Sequence, residues 1–360
     1  TVLSINVHAD TCLIDGNIKF QMIDGFGFSD GWSGVLSSAK NDALYKTIGM
    51  TIFRAFKFHP DFDGPYNTPS ENISAAKANG ATVLCTYWPP EEWESNNHLR
   101  SEYYDDYANW IRNNVTDIDI VSPFNEPNLA NAIEMTGNEI RDWLKTSAAG
   151  DLANTRPILI AEASGFNDEW TDPSLNDSLA VSRVSYTGGH FYGAGNYVHQ
   201  NCMDKGKPVW QTEYCYKDSQ TDITACMKMA EGINQALNNH FNAFIWWWVR
   251  DSVTDGTNLV NNDGTIYKNG YIMAQFAKWV LPGKQRIQTT YNPASSVYVT
   301  AYRNGGVVIV AVNTSGSDVE QRFSLSNLDT ATQFIAYRTS SSLNIAEVGT
   351  FNVVDRSFSD

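Results

Sequence analysis

The 360-residue chain reads as an α/β protein, a closed (β/α)8 TIM barrel with an attached antiparallel side β-domain of sandwich type. Two observations lead there. Short apolar runs at residues 22–27, 52–55, 82–87, 118–124, 158–161, 188–192, 209–212 and 243–247 alternate with helix-type stretches through the first four-fifths of the chain. After Leu281-Pro282-Gly283 the texture changes to alternating runs at 297–302, 307–312, 321–325, 333–337 and 351–354, divided by Gly, Asn, Asp and Ser turns.

The eight early runs are too apolar to be half exposed, so strands made from them must be covered on both faces. That requirement favours a closed barrel sheathed in helices over an open doubly wound sheet. Helices are predicted at 42–48, 70–79, 101–114, 136–147, 223–239 and 271–280, several opening at a capping residue, and Asn79-Gly80 is a stop signal. Residues 1–20 also read as strands, which divides the chain into a barrel at 21–284 and a side domain at 1–20 plus 285–360. The tail, Ser359-Asp360, carries no clear final strand.

Composition limits the partners. With 40 acidic against 25 basic residues and a formal charge of -15, the surface repels nucleic acid and anionic membranes, which leaves a neutral ligand. Eleven Trp, 17 Tyr and 17 Phe supply flat rings for a core or for flat apolar ligand faces. Cys12, Cys85, Cys202, Cys215 and Cys226 form no CxxC pair and no zinc spacing, and the six histidines show no metal-ligand spacing, although His190 is placed to line a site. Gly25-Phe26-Gly27 lacks the rest of a dinucleotide fingerprint, so no nucleotide cofactor is expected. The longest apolar run, 243–249, is far too short to cross a bilayer, and the chain reads as soluble, with any signal peptide already removed. Sequons at Asn72, Asn114, Asn176 and Asn313 carry no weight, because so short a motif is common by chance.

The chemistry resides in two glutamates. Glu126, in Asn125-Glu126-Pro127, follows the fourth run, and Glu213, in Thr212-Glu213-Tyr214, ends the seventh. Both therefore belong to the C-terminal mouth of the barrel, and Pro127 is expected to hold Glu126 extended. Two carboxylates across a pocket are the minimum equipment for retaining glycoside hydrolysis, one as acid/base and one as nucleophile. The charge of one is expected to raise the pKa of the other and keep it protonated. No metal or cofactor is needed for such a pair.

Together with these, Gly25-Phe26-Gly27, Trp88-Pro89-Pro90, His190-Phe191-Tyr192-Gly193, Trp246-Trp247-Trp248-Val249-Arg250 and Asn292-Pro293 occur in the order in which glycoside hydrolase family 30 carries them. The chain resembles the bacterial xylanases of that family over essentially its whole length. The resemblance implies a secreted endo-β-1,4-xylanase acting on xylan or xylooligosaccharides, with Glu126 as acid/base, Glu213 as nucleophile and Asn125 on the sugar 2-hydroxyl. It also implies that Arg54 holds Glu213 ionised and that Tyr192 bonds to it. Trp32, Trp88, Trp93, Tyr214, Trp247 and Trp248 fall at or just past strand ends, where their rings are expected to stack on pyranose faces. Relatives acting on other β-glycans share the same machinery, and a non-catalytic carbohydrate-binding barrel is the reading from another class.

One departure bears on substrate choice. Members that require glucuronoxylan resemble one another in a basic pair after the eighth strand, whereas here Arg250 is followed by Asp251, and Asp255 comes soon after. An acid there is expected to repel a uronate, so cleavage without a glucuronic acid branch is expected. Family members usually carry one more apolar strand than this chain shows after Ser359, which suggests a longer enzyme with an appended carbohydrate-binding or dockerin module.

Overall fold

The structure, a computed structural model, describes residues 10–61, 67–129, 133–216, 222–251 and 256–360. Eight parallel strands form one sheet, and they are numbered here in chain order: Gly25–Ser29, Ile52–Phe58, Thr82–Trp88, Ile120–Ser122, Leu159–Ser164, Tyr186–His190, Val209–Tyr214 and Ala243–Trp247. Hydrogen-bonded neighbours run 4-3-2-1-8-7-6-5. A parallel bridge from Val121 to Ile158 and a 3.0 Å bond from the Val121 N–H to the Pro157 carbonyl close strand four onto strand five. Every run expected to be a strand among the described residues is one, with edges moved by a few residues; Met22, for instance, ends a side-domain strand, the barrel begins at Gly25, and residues 1–9 of the expected N-terminal strands lie outside the described residues.

The barrel interior is filled by Ile52, Leu84, Ile120, Leu159, Trp210, Ala243 and Ile245, all buried. Outward-facing strand residues pack under the helices in a second, larger cluster. Helix Tyr104–Arg112 shows why that layer forms. It buries Tyr104, Tyr107, Ala108 and Ile111, the spacing that puts one apolar stripe on a 3.6-residue period. Helix Gly137–Leu144 opens on a capping box in which Thr136 and Glu139 satisfy each other's backbone N–H groups. The stretch expected as one helix at 42–48 is an α-turn, Ser38–Asp42, running into a π-helical turn, Ala43–Ile48, and the last barrel helix starts earlier than expected, at Lys268.

The side domain centres on a six-stranded sheet ordered 308–313, 297–303, 285–289, 12–22, 322–326, 357–359, beside a hairpin of Gln333–Arg338 and Ala346–Asn352. Its pairings are antiparallel except where Cys12–Asp15 runs parallel to Phe323–Ser326, a consequence of the N-terminal strand entering the middle of the sheet. The tail also differs from expectation: Ser357–Ser359 pairs with Arg322–Ser324, and Phe358 stacks on Phe323 and Phe334 at 4.9 and 4.7 Å. One apolar residue in a polar strand is too weak an alternation to read from sequence. Asn72 is buried and its side chain binds Asp30 and the Gly34 carbonyl, so that sequon cannot carry a glycan.

Candidate active site

The polar centre follows from strand periodicity. Two residues beyond interior Ile52, Leu84 and Ile120 stand Arg54, Thr86 and Ser122, on the same faces and one layer nearer the mouth. Arg54 is fully buried. Its Nη1 donates to Glu213 Oε2 at 2.6 Å, its Nη2 to Asn125 Oδ1 at 2.7 Å, and its Nε lies 3.0 Å from Glu162 Oε1. A planar guanidinium suits this task because its five donors point in fixed directions.

Glu213 is also held from the other side, where the Tyr192 hydroxyl donates to Oε1 at 2.9 Å. Glu126 Oε1 lies 3.0 Å from His190 Nδ1. One carboxylate oxygen of Glu126, one of Glu213 and a nitrogen of His190 all fall within 4.8 Å of one another. Two carboxylates and an imidazole at that spacing match metal-donor types, but Arg54 at 2.6 Å already places a cation on Glu213, and His190 is itself held in its charged form, as shown below. The donor set does not fit an ion without displacing those contacts.

Three features of this centre were not legible in the sequence. Glu162, fully buried, accepts from Thr86 Oγ1 at 2.8 Å, and its Oε1 lies 3.7 Å from His190 Nε2. Alternation from interior Leu159 would send Glu162 outward, but a register shift between Ala161 and Ala163 turns it in. A similar shift between Gln211 and Glu213 turns Glu213 in after interior Trp210. Nor is Glu126 extended: its φ is 44°, that of Glu162 is 53°, and the Glu126 N–H donates to the Glu162 carbonyl at 3.0 Å. Left-handed backbone at such residues costs about 1–3 kcal/mol each, and here that bond fixes both.

The charge states also depart from expectation. Burial pushes the Glu126 carboxyl up, but the hydrogen bond and charge of His190 outweigh it and hold the group below its usual range. Burial alone would lower the His190 pKa, yet Glu213, Glu126 and Glu162 raise it to about 9. For Glu162 burial is likewise opposed, by Arg54 and His190, which bring it down to about 2. A proton expected on Glu126 therefore sits on His190, because an imidazolium among carboxylates lowers their energy more than a neutral acid does.

The aromatic residues expected at the cleft divide into three groups. Trp247 stacks on Trp248 at 4.7 Å, Trp32 meets both edge-on at 5.2 and 5.5 Å, and Phe56 joins Trp32, Trp247 and Trp88. Arg54 lies over Phe56 at 4.8 Å, which connects this wall to the carboxylates. A Cβ on Gly31 would lie 2.5 Å from Trp247 Cη2, so glycine lets the wall close. Phe56 gave no signal in sequence. Tyr214 is placed elsewhere, at ring distances of 6.0–6.3 Å from Phe191, Phe244 and Trp246 in the layer between barrel and helices. Trp93 stacks on Tyr103 and meets His59, in a separate cluster.

No protein-family model matches the chain. The Glucuronoxylanase XynC of Bacillus subtilis strain 168 is 30% identical over 94% of this chain and 86% of its own. The family 30 subfamily 8 xylanase Xyn30A of Clostridium acetobutylicum superposes with a TM-score of 0.88 at 30% identity, covering 97% of this chain and 96% of that one. The chain belongs to glycoside hydrolase family 30. A family 30 endoxylanase from Clostridium papyrosolvens C71 gives the same TM-score, 0.88, identity and coverage. This glycoside hydrolase thus shares its barrel and side domain with solved family 30 enzymes, and among its described residues no helix is long and apolar enough to cross a membrane.

Beyond the eighth strand the family 30 chain differs from the expectation of a bare repulsive acid. Asp251 Oδ1 accepts from Lys40 Nζ at 2.9 Å and from Asn258 Nδ2 at 3.1 Å, and Lys40, fully buried, also binds the Val249 carbonyl. Asp251 is neutralised rather than free. Arg250 lies over the Trp248 ring at 5.4 Å. Asp255 lies outside the described residues.

Proposed function

We propose that this chain is a retaining endo-β-1,4-xylanase that cleaves xylan by double displacement without depending on glucuronic acid branches. The observation that carries the reading is the Glu126–Glu213 pair, with carboxylate oxygens within 4.8 Å at the mouth of the barrel. Retaining enzymes hold such groups about 5–5.5 Å apart, whereas inverting enzymes leave about 6.5–9.5 Å for a water. Glu213, bound by Arg54 and Tyr192, acts as nucleophile; Glu126, held by His190 rather than by the Arg54 fork, acts as acid and then base. Asn125, held by Arg54, meets the sugar 2-hydroxyl, and the wall of Trp32, Trp88, Trp247 and Trp248 stacks on pyranose faces. Residues 21–284 would carry the catalysis, with 1–20 and 285–360 as a buttress, in a secreted protein.

Branch independence is supported by the eighth-strand exit. Among the described residues it offers Arg250 laid on Trp248 and a carboxylate paired with Lys40, which is not the pair of free cations needed to grip a uronate. A glucuronoxylan-specific reading is favoured by the name of the Bacillus subtilis relative and by the neutralisation of Asp251, which removes the expected repulsion. Digestion of linear xylan, 4-O-methylglucuronoxylan and β-1,4-glucan by the wild type and Glu213→Gln, with products sized by mass spectrometry, separates these. Neutral oligomers from both xylans, lost in the variant, are expected. Products with a uronate at one fixed position would establish the second reading.

A further inference from the structure

Glu162 has no part in the reaction just proposed, yet it is the most buried of the three carboxylates around His190. His190 is wholly enclosed and faces Glu126 from the loop after strand four, Glu162 from strand five, Glu213 from strand seven and the Arg54 charge from strand two. Its ring stands perpendicular to that of Tyr192 at 6.1 Å. His190 Nε2 and Glu162 Oε1 are both buried; among the described residues Nε2 makes no hydrogen bond, and Oε1 has its ion-pair partner, Arg54 Nε, at 3.0 Å. They face each other at 3.7 Å, while Nδ1, on the opposite side of the ring, is 3.0 Å from Glu126. The imidazole is thus strung between a sealed carboxylate and one that opens to the cleft.

We propose that Glu162 is a positioning residue whose fixed negative charge keeps a proton on His190, so that His190 and Glu126 together hold the one proton that the leaving sugar must receive. The proposal rests on the glycosidase reading above. Arg54 and Thr86 anchor Glu162 as an anion throughout, and the bond from the Glu126 N–H to the Glu162 carbonyl ties the backbone positions of the two acids together. When a sugar fills the cleft, Glu126 loses water and its charged form becomes costlier. The Nδ1–H bond of His190 then breaks as an O–H bond forms on Glu126. That O–H breaks in turn as the leaving oxygen takes the proton with the electron pair of the broken glycosidic bond, and the Glu213 carboxylate forms the new bond to the anomeric carbon. In the second half a water gives its hydroxyl to that carbon, freeing Glu213, and its proton to Glu126, from which it returns to His190. The pair titrates as a unit, with one proton between two groups.

The test begins with wild-type protein carrying 15N-labelled histidine, in which the His190 resonance is assigned by its loss in His190→Asn. His190 is expected to stay doubly protonated through neutral pH and to titrate near 9; titration at or below 6.5, the ordinary histidine value, overturns the proposal. Glu162→Gln should lower that titration by about one pH unit or more and draw the basic limb of kcat/KM on xylan down with it. At pH about 8 the loss should be at least about tenfold greater on xylan than on an aryl xyloside whose good leaving group needs little protonation. Equal losses on both, with the basic limb unmoved, would make Glu162 merely structural. Should Glu162→Gln not fold, the wild-type titration still decides, and Glu162→Asp should retain the raised titration. If the wild type releases nothing from xylan, the substrate reading fails, whereas the titration, measured without substrate, stands or falls separately.

Discussion

The Arg54 guanidinium, fully buried, lies 2.6 Å from Glu213 while its remaining nitrogens hold Asn125 and Glu162. A single planar cation from strand two thereby sets the positions of side chains from strands five and seven and from the loop after strand four. Arg54→Lys keeps the charge but has one point donor in place of a fork. It should lower kcat/KM by about a hundredfold or more, and Arg54→Met should destabilise the fold by roughly 3–5 kcal/mol, since it strands buried carboxylates. Steady-state kinetics and denaturant unfolding check the two effects.

Glu126→Ala should separate substrates by leaving group. On xylan, where the departing oxygen must be protonated, the loss should be about 100- to 10,000-fold, while an aryl xyloside with a good leaving group should lose far less in its first step and accumulate the glycosyl-enzyme. Burst kinetics and intact-protein mass spectrometry would reveal that intermediate, and its absence in Glu213→Gln would assign the nucleophile.

Tyr192 donates to Glu213 Oε1 at 2.9 Å and also contacts Cys215 Sγ at 3.7 Å. A hydrogen bond to a charged group is worth about 1.5–3 kcal/mol, so Tyr192→Phe should reduce kcat/KM by about 10- to 100-fold with little change in thermal midpoint. A large fall in midpoint with intact kcat/KM would instead make the hydroxyl a packing element.

At the eighth-strand exit, Arg250→Ala should weaken neutral xylan and glucuronoxylan in parallel, their kcat/KM ratio staying within about threefold. A selective loss on glucuronoxylan would show that Arg250 grips the acid. Asp251→Asn should destabilise the protein by roughly 3 kcal/mol, because Lys40 is left buried without its anion.

Stability should depend on pH at both extremes. Glu162 has a folded pKa depressed from 4.5 to about 2, so the stability it confers is present above about pH 4.5 and is lost as pH falls through about 2. His190 is raised from 6.5 to about 9, so its share is complete below about pH 6.5 and is lost as pH rises through about 9. The two shifts describe one coupled interaction and do not add. Thermal melts of Glu162→Gln should therefore show weaker dependence in both windows than the wild type.

Much of the fold is determined by the sequence alone. Runs such as Ala243-Phe244-Ile245-Trp246 are apolar on both faces and must be covered on both sides, and the alternating runs after Gly283 need cover on one face only. The carboxylates of Glu126 and Glu213 could also be placed at the mouth, since one follows the fourth run and the other ends the seventh. Only the tertiary structure decided the aim and charge of the site. Irregular pairing on strands five and seven turns Glu162 and Glu213 inward against simple alternation, and such a shift is a property of the neighbouring strands' hydrogen bonds rather than of local residue order. The proton on His190 and the neutralised Asp251 have the same origin. Each depends on charges brought from elsewhere in the chain, Glu162 and Glu213 around His190 and Lys40 beside Asp251, and a charge state is set by whatever lies within a few ångströms in space, however far away it is in sequence.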